Sequence, residues 1–409
     1  MGTDVRNPAD RRRYPSRWPM RRGKELFKEI DERSPDGSEE LLSVSHITGI
    51  TPRSEKNVTM FQSESLVGYK ICRRNDIAAN TMWTWQGAIG VSAYDGVISP
   101  SYNVYRQRQD FYNPRYLDFL LREPALVDVY DSLSTGIRPS RRRLYPEEFL
   151  TIRFPVPKRE EQDRIVNFLA EKSSEIDKVV SVKQKQIDEL EELKKAIIHR
   201  AVTSGVGNTP LTSGWQMRRL KTIVSCNDDT LSEDTPPERL IEYVEISDVT
   251  ETQGIFNSTT YVFKDAPSRA RRITRKDDVI VSTVRTYLKA IATVDRDGLI
   301  VSTGFAVLRA KPEVNSRFLS YAVKSETLKD DIIRNSIGVS YPAINATDLI
   351  KLSIPLPPLP VQREIVAYLD EKCAAIDGAI ANKRKSIEEL SALKSRIIAD
   401  AVTGRMEVE

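Results

Sequence analysis

One stretch occurs twice and decides the organisation of the chain: FPVPKREEQDRIVNFLAEKSSEID at 154–177 and IPLPPLPVQREIVAYLDEKCAAID at 354–377. The correspondence runs without a gap from 154–203 to 354–403, with 22 identical positions among the 50 aligned. Helices that shared only a heptad composition would not agree so often, so the likeness marks an internal repeat. Identities such as Gln162/Gln362, Ile165/Ile365, Leu169/Leu369, Asp177/Asp377, Lys194/Lys394 and Thr203/Thr403 carry it. Each copy opens on prolines, which disfavour helix at the preceding residue and so bring the backbone in extended. A helix follows. Its apolar residues Ile165, Leu169, Ile176, Val180, Ile187, Leu190, Ile197 and Ala201 fall mostly three, four or seven apart, a narrow seam for a partner helix. Lys183 and Lys383 hold the same polar place in the two seams and are long enough to reach past them to water. Gly205 and Gly404 stand where a C-terminal cap calls for glycine. A helix over 160–203 would span about 66 Å at ~1.5 Å per residue.

The segments between the helices repeat more weakly, at an offset of 202. Residues 75–99, NDIAANTMWTWQGAIGVSAYDGVIS, match 277–301, DDVIVSTVRTYLKAIATVDRDGLIV, at Asp76/Asp278, Thr81/Thr283, Thr84/Thr286, Ala88/Ala290, Ile89/Ile291 and Asp95-Gly96/Asp297-Gly298. Asn113-Pro-Arg115 pairs with Asn315-Ser-Arg317, Ser134-Thr-Gly136 with Ser336-Ile-Gly338, and Trp18 with Trp215. The runs 278–282 and 290–294 have strand length and end at turn residues such as Asp297-Gly298, while 114–130 and 316–333 read as helical. Each segment is therefore expected to be a mixed α/β domain with a curved sheet. The expected plan is two globular domains (1–157 and 206–358) separated by two long helices (158–205 and 359–409). These helices would pair as an antiparallel coiled coil with pseudo-two-fold symmetry.

Composition agrees with such a plan. A chain of 409 residues exceeds one ordinary core. No run of eighteen apolar residues exists, and the N-terminal MGTDVRNPADRRRYPSRW lacks the apolar core of a secretory signal; it reads as a basic leader, and the chain as cytoplasmic. Cys72, Cys226 and Cys373 lie far apart, and with two histidines they predict neither a disulfide framework nor a zinc site. Net charge is only +4, but basic clusters stand at Arg11–Arg13, Arg21-Arg22, Arg138 with Arg141–Arg143, and Arg269 through Lys276. Clusters in Gly/Ser/Pro-containing loops suit phosphate contacts. Signatures of catalysis are missing: there is no phosphate-binding Gly-x-x-x-x-Gly-Lys loop and no His-Glu-x-x-His, and Gly205-Val-Gly207 lacks a third glycine. Asn113-Pro114-Arg115-Tyr116 lacks the second proline of an aminomethyltransferase string and reads as structural.

On the doubled string Pro-x-Pro…Gln-x-x-Ile-Val…Leu-x-Glu-Lys…Ile-Asp (155–177 and 355–377) and the closing Ile-Ile-x-x-Ala-Val-Thr (197–203 and 397–403), the chain resembles the specificity subunits of type I restriction-modification systems. The resemblance implies two target recognition domains, each reading half of a split site in double-stranded DNA. It implies helices that set the unread spacer and dock two methyltransferase subunits, with restriction subunits in the full complex. No catalysis and no cofactor would reside in this chain; S-adenosylmethionine, ATP and Mg would belong to the partners. A stand-alone DNA-binding or anti-restriction relative without catalytic partners is the alternative, and an enzyme with an unrecognised site is a third.

Base readout needs Arg, Lys, Asn, Gln or Ser/Thr on short loops. Two repeated loops supply them. The first comprises Asn80, Thr81, Trp83, Trp85 and Gln86, against Ser282, Thr283, Arg285, Thr286, Tyr287 and Lys289. In the resembling family this strand-turn-strand faces DNA, and the change of Trp83 to Arg285 suits different half-sites. The second comprises Ser134, Gly136, Arg138, Arg141, Arg142 and Arg143, against Ser336, Gly338, Ser340 and Tyr341. Gly136 and Gly338 would let backbone approach phosphate closely.

Overall fold

The computed structural model describes residues 14–55, 65–136, 142–206 and 214–408. The chain divides into two units: Met1–Val182 with Lys385–Glu409, and Lys183–Arg384. Each therefore takes the beginning of one long helix and the end of the other.

In the first unit, strands Phe27–Ile30, Asn103–Gln107, Ile77–Ala79 and Ile89–Val91 form an antiparallel sheet in that order. It also has a hairpin of Leu42–Ser45 and Gly49–Pro52, a pair of Lys70–Cys72 with Gly96–Ile98, and Met20–Arg22 on Arg153–Pro155. The second unit has the sheet Val224–Cys226, Phe305–Ala310, Val279–Ser282, Ile291–Thr293. It adds a mixed sheet in which Leu240–Val244 runs parallel to Ile300–Ser302. Gln216–Arg219 pairs with Ser353–Leu356. The proline strings thus enter short two-stranded ribbons, where proline's missing N–H is tolerated.

The helical stretches read at 114–130 and 316–333 are each broken in two. Pro114–Leu121 is followed by Pro124–Leu133, and Ser316–Val323 by Glu326–Arg334. Pro124 sits at the first helical position behind Glu123, whose carboxylate accepts from the Leu126 N–H, so the chain restarts there. Asn113 and Asn315 cap the preceding helices in the same manner: Asn113 accepts from the N–H groups of Arg115 and Tyr116, Asn315 from those of Arg317 and Phe318. The Asn113-Pro-Arg-Tyr string is a helix cap.

The long helices run Arg159–Ser204 and Leu359–Val402, 46 and 44 residues. Their ends depart from the seam expected of them. In the first unit Ile165, Val166 and Leu169 are buried with Ala401 and Val402 among Phe27, Tyr105, Tyr116, Phe149 and Phe154 of the globular core. In the second, Ile365, Val366 and Leu369 join Ala201 and Val202 against Phe318, Leu308 and Ile354. These repeated residues are core residues of the domains. Spacings of three and four suit a helix or a sheet as partner equally well, so sequence could not separate the two. Pairing between the helices is antiparallel. In the second unit Lys194 reaches Asp377 at 2.7 Å while Arg384 reaches back to Glu191 at 3.0 Å. In the first, Lys394 meets Asp177 at 2.7 Å. Lys383 donates to Gln186 Oε1 of the facing helix at 2.6 Å, at the solvent-exposed edge of the seam.

Gln162 and Gln362 bolt each helix start to its domain. Fully buried, Gln162 accepts from the Asn113 N–H at 2.7 Å and donates to the carbonyls of Phe111 and Pro157, each at 2.9 Å. Gln362 repeats this with Asn315 N–H at 2.8 Å, Pro357 O at 2.8 Å and Glu313 O at 3.4 Å.

The repeated Asp76 and Asp278 also find a role. Arg106 grips Asp76 through Nε at 2.7 Å and Nη2 at 2.8 Å, and Arg309 grips Asp278 at 2.9 and 2.7 Å. Both carboxylates are buried, and each also accepts a backbone N–H, from Arg73 or Arg275. Breaking a buried pair costs about 3–5 kcal/mol. Arg106 is partly exposed and keeps Glu32 at 3.4 Å, so Asp76→Asn is expected to lower unfolding free energy by a smaller amount, about 2–3 kcal/mol, in urea titration.

Candidate nucleic-acid interface

Each unit brings its two candidate loops together. In the first unit the turn between Ile77–Ala79 and Ile89–Val91 is a 3-10 turn, Thr84–Gln86, closed by Gly87 in the left-handed region (φ 88°). Trp83 and Trp85 stack across it, 6.3 Å between ring centroids and 13° between planes. Arg142, from the second loop, lies over the Trp85 ring at 5.4 Å. The backbone joins the loops as well, Leu144 N–H donating to Thr81 O at 3.4 Å. Trp83 is 46% exposed, and Gln86 is exposed beside it.

In the second unit the corresponding turn is Thr286–Leu288, flanked by Arg285 (φ 50°) and Lys289 (φ 50°). Ile344 N–H donates to Thr283 O at 2.9 Å, and the hydroxyls of Thr286 and Ser336 meet at 2.8 Å. Arg285 lies over the Tyr341 ring at 5.2 Å. Position 289 corresponds to Gly87, so a left-handed residue closes both turns. Arg285 has no such precedent: its counterpart Trp83 has φ −129°. A long side chain at positive φ is uncommon and costs free energy, and such strain gathers at functional sites.

Not all the polar residues of these loops face outward. Asn80 is buried and donates to the Tyr102 hydroxyl at 2.9 Å, and Thr81 donates to Ser101 O at 2.6 Å. Ser134 donates to Tyr130 O and Ser282 to Val284 O, each at 2.7 Å, both buried, as is Thr286. Thr283 is half-buried on Gly304 O at 2.9 Å, and Ser336 donates to Ile332 O at 2.7 Å. These side chains fix the shape of the loops. Trp85 is half-buried, with its indole N–H on Met82 O at 2.9 Å. Lys289 is half-buried, with its ammonium on Glu326 at 3.2 Å. Arg142 is held by Asp131 at 2.5 Å, and Arg143 donates to Arg142 O at 2.9 Å. Arg138 and Arg141 lie outside the described residues.

Exposed at the surface are Trp83, Gln86, Gly136, Arg285, Tyr287, Gly338, Ser340 and Tyr341. Apolar residues absent from the sequence reading stand with them: Leu288, Ile337 (81% exposed) and Val339 (101%). Their signal was the alternation Ser336-Ile-Gly-Val-Ser340, which forms a turn bridged at Ile337↔Ala343 with Gly338 at φ 110°. A Cβ on Gly338 would stand 3.1 Å from Tyr341 O. Among the described residues no cluster of His, Cys, Asp or Glu is arranged to hold a metal, and no helix is long and apolar enough to cross a membrane. Cys72 is buried, which pushes its thiol up to about 12.

Residues 212–390 match the family model of the type I restriction modification DNA specificity domain. The type I restriction enzyme MjaVIII specificity subunit of Methanocaldococcus jannaschii is 22% identical over 97% of this chain and 95% of its own length. The StySPI specificity subunit of Salmonella potsdam is 23% identical over 74% of this chain and 67% of its own. A chain from a type I R-M system, solved for its complex assembly and conformational transition, superposes with a TM-score of 0.70 at 18% identity, covering 96% of this chain and 99% of that one. The HsdS subunit from Thermoanaerobacter tengcongensis gives 0.50 at 19%, covering 96% and 98%. The fold is that of these solved chains. Over residues 212–390 the chain is thus similar to the type I restriction modification DNA specificity domain, and over nearly its whole length to a type I specificity subunit.

Proposed function

We propose that this chain is the non-catalytic, DNA-reading subunit of a type I restriction-modification complex, each unit recognising one half of a bipartite site. The observation that carries the reading is the joining of two repeated loops into one exposed cluster in each unit, built on the same frame but with different side chains. Stacked Trp83 and Trp85 backed by Arg142 make an aromatic surface; Arg285 on Tyr341 presents a guanidinium fork. An arginine fork matches the O6 and N7 acceptors of guanine in the major groove, whereas indoles offer apolar contact and stacking. Different targets follow from different readers.

The helices supply the rest of the proposal. At 46 and 44 residues they measure about 69 and 66 Å at ~1.5 Å per residue, longer than the ~34–36 Å between half-sites one DNA turn apart. They set the unread spacer and dock two methyltransferase subunits, which carry S-adenosylmethionine; restriction subunits with ATP and Mg join them. The complex acts on cytoplasmic DNA. Selection from random duplexes by the full chain with its methyltransferase subunits tests this reading. Two sequence blocks at a constant separation are expected; a single uninterrupted block, or none, contradicts it.

A further inference from the structure

The second unit contains a cavity of about 500 Å³ lined by the long helices, the 316–334 helices and the strand 291–293. Seven lysines and arginines line it against four carboxylates. Six of the seven have a carboxylate within 4 Å: Lys194 has Asp377, Lys195 has Glu192, Lys289 has Glu326, Lys329 has Glu251, Arg296 has Asp295 and Arg384 has Glu191. Lys324 has none among the described residues. Its ammonium donates only to Thr293 Oγ1, at 3.3 Å.

The repeat shows what this lysine lacks. Lys324 corresponds to Arg122 and Ser320 to Asp118, in helices capped alike by Asn315 and Asn113. In the first unit Asp118 accepts the Val91 N–H at 2.9 Å and lies 3.9 Å from Arg122, one helical turn away. In the second, Ser320 meets the Thr293 hydroxyl at 2.5 Å and offers no charge. A cation has kept its place while its internal anion has gone, and a cavity large enough for a small ligand opens beside it.

We propose that this cavity binds a small organic anion, its carboxylate or phosphate head on Lys324 and its apolar body against Ile255, Ile291 and Ile380. Those three isoleucines line the same space as Lys324. Burial, and then the neighbouring Lys194, pull the Lys324 ammonium down to about 8, so it stays mostly cationic at neutral pH while gaining free energy from any anion placed against it. The site does not depend on the DNA-reading proposal and is tested without DNA.

Phenyl phosphate, benzoate and uncharged benzyl alcohol would be titrated calorimetrically into the full chain. At least one anion is expected to bind at least tenfold more tightly than benzyl alcohol, and which one binds identifies the head. Lys324→Met removes the cation, and Ser320→Asp restores the carboxylate of the first unit. Each is expected to weaken the anion tenfold or more, leaving benzyl alcohol unchanged. Lys324→Met removes a charge that burial disfavours, so its melting temperature is expected at or above that of the parent, and Ser320→Asp serves as an independent arm. No anion binding at millimolar concentration, or binding undiminished in either variant, overturns the proposal.

Discussion

Arg285→Ala is expected to erase discrimination at one base pair of the half-site read by the second unit, leaving the other half-site untouched. Arg285 is exposed, lies over the Tyr341 ring, and is held at φ 50°, where L-residues are rarely found. A bidentate contact to guanine is worth about 1–3 kcal/mol of discrimination, or about 5–150-fold between right and wrong base. Competition binding against duplexes randomised one position at a time reads this directly. Arg285→Lys keeps the charge without the planar fork, so it should retain overall affinity and lose most of the preference. Arg285→Gly should lose the preference too while gaining about 1 kcal/mol of stability, because the left-handed conformation no longer opposes a side chain. Unchanged base preference in all three variants would remove Arg285 from the reading surface.

Gln362→Leu is expected to destabilise the second unit by about 3–4 kcal/mol, with Gln162→Leu doing the same in the first. Leucine fills similar space but leaves the Asn315 N–H and the Pro357 carbonyl, bonded at 2.8 Å each, without partners. Each buried polar group so orphaned costs about 1–3 kcal/mol. The Asn315 N–H belongs to the residue that caps the 316–323 helix, so the loss should spread from the long helix into the domain. Urea titration measures the cost, and hydrogen exchange at 316–323 locates it. A loss below 1 kcal/mol would mean that water replaces the glutamine and that the joint is not the anchor described here.

Much of the fold was legible in sequence because it is written twice. The repeat located both long helices, the glycines Gly205 and Gly404 that end them, and the strands on either side of Thr81–Gln86 and Thr283–Lys289. The missed features have a common cause: side-chain type does not specify direction. Ile165, Leu169 and Ala201 have the spacing of a helix seam, yet they serve domain cores, since a helix buries the same stripe against whatever covers it. Asn80, Thr81, Ser282 and Thr286 are suited to base readout and equally to satisfying backbone groups within a tight loop; here they satisfy hydroxyl and carbonyl partners inside. Apolar residues such as Ile337 and Val339 are expected indoors, but a turn tip leaves them no interior to enter. Lys324 matches Arg122 in sequence as one cation to another; only the fold places it over a cavity without, among the described residues, a carboxylate beside it.

In the proposed function, one chain presents two different readers to one duplex. Base-resolution mapping of the bases methylated when the chain is reconstituted with the proposed methyltransferase partners tests this. Modification is expected within two dissimilar sequence blocks separated by a spacer of constant length and free composition. Arg285→Ala should broaden only one block, and a substitution of Trp83 only the other. Modification within one contiguous sequence, or blocks that broaden together under either substitution, would contradict it.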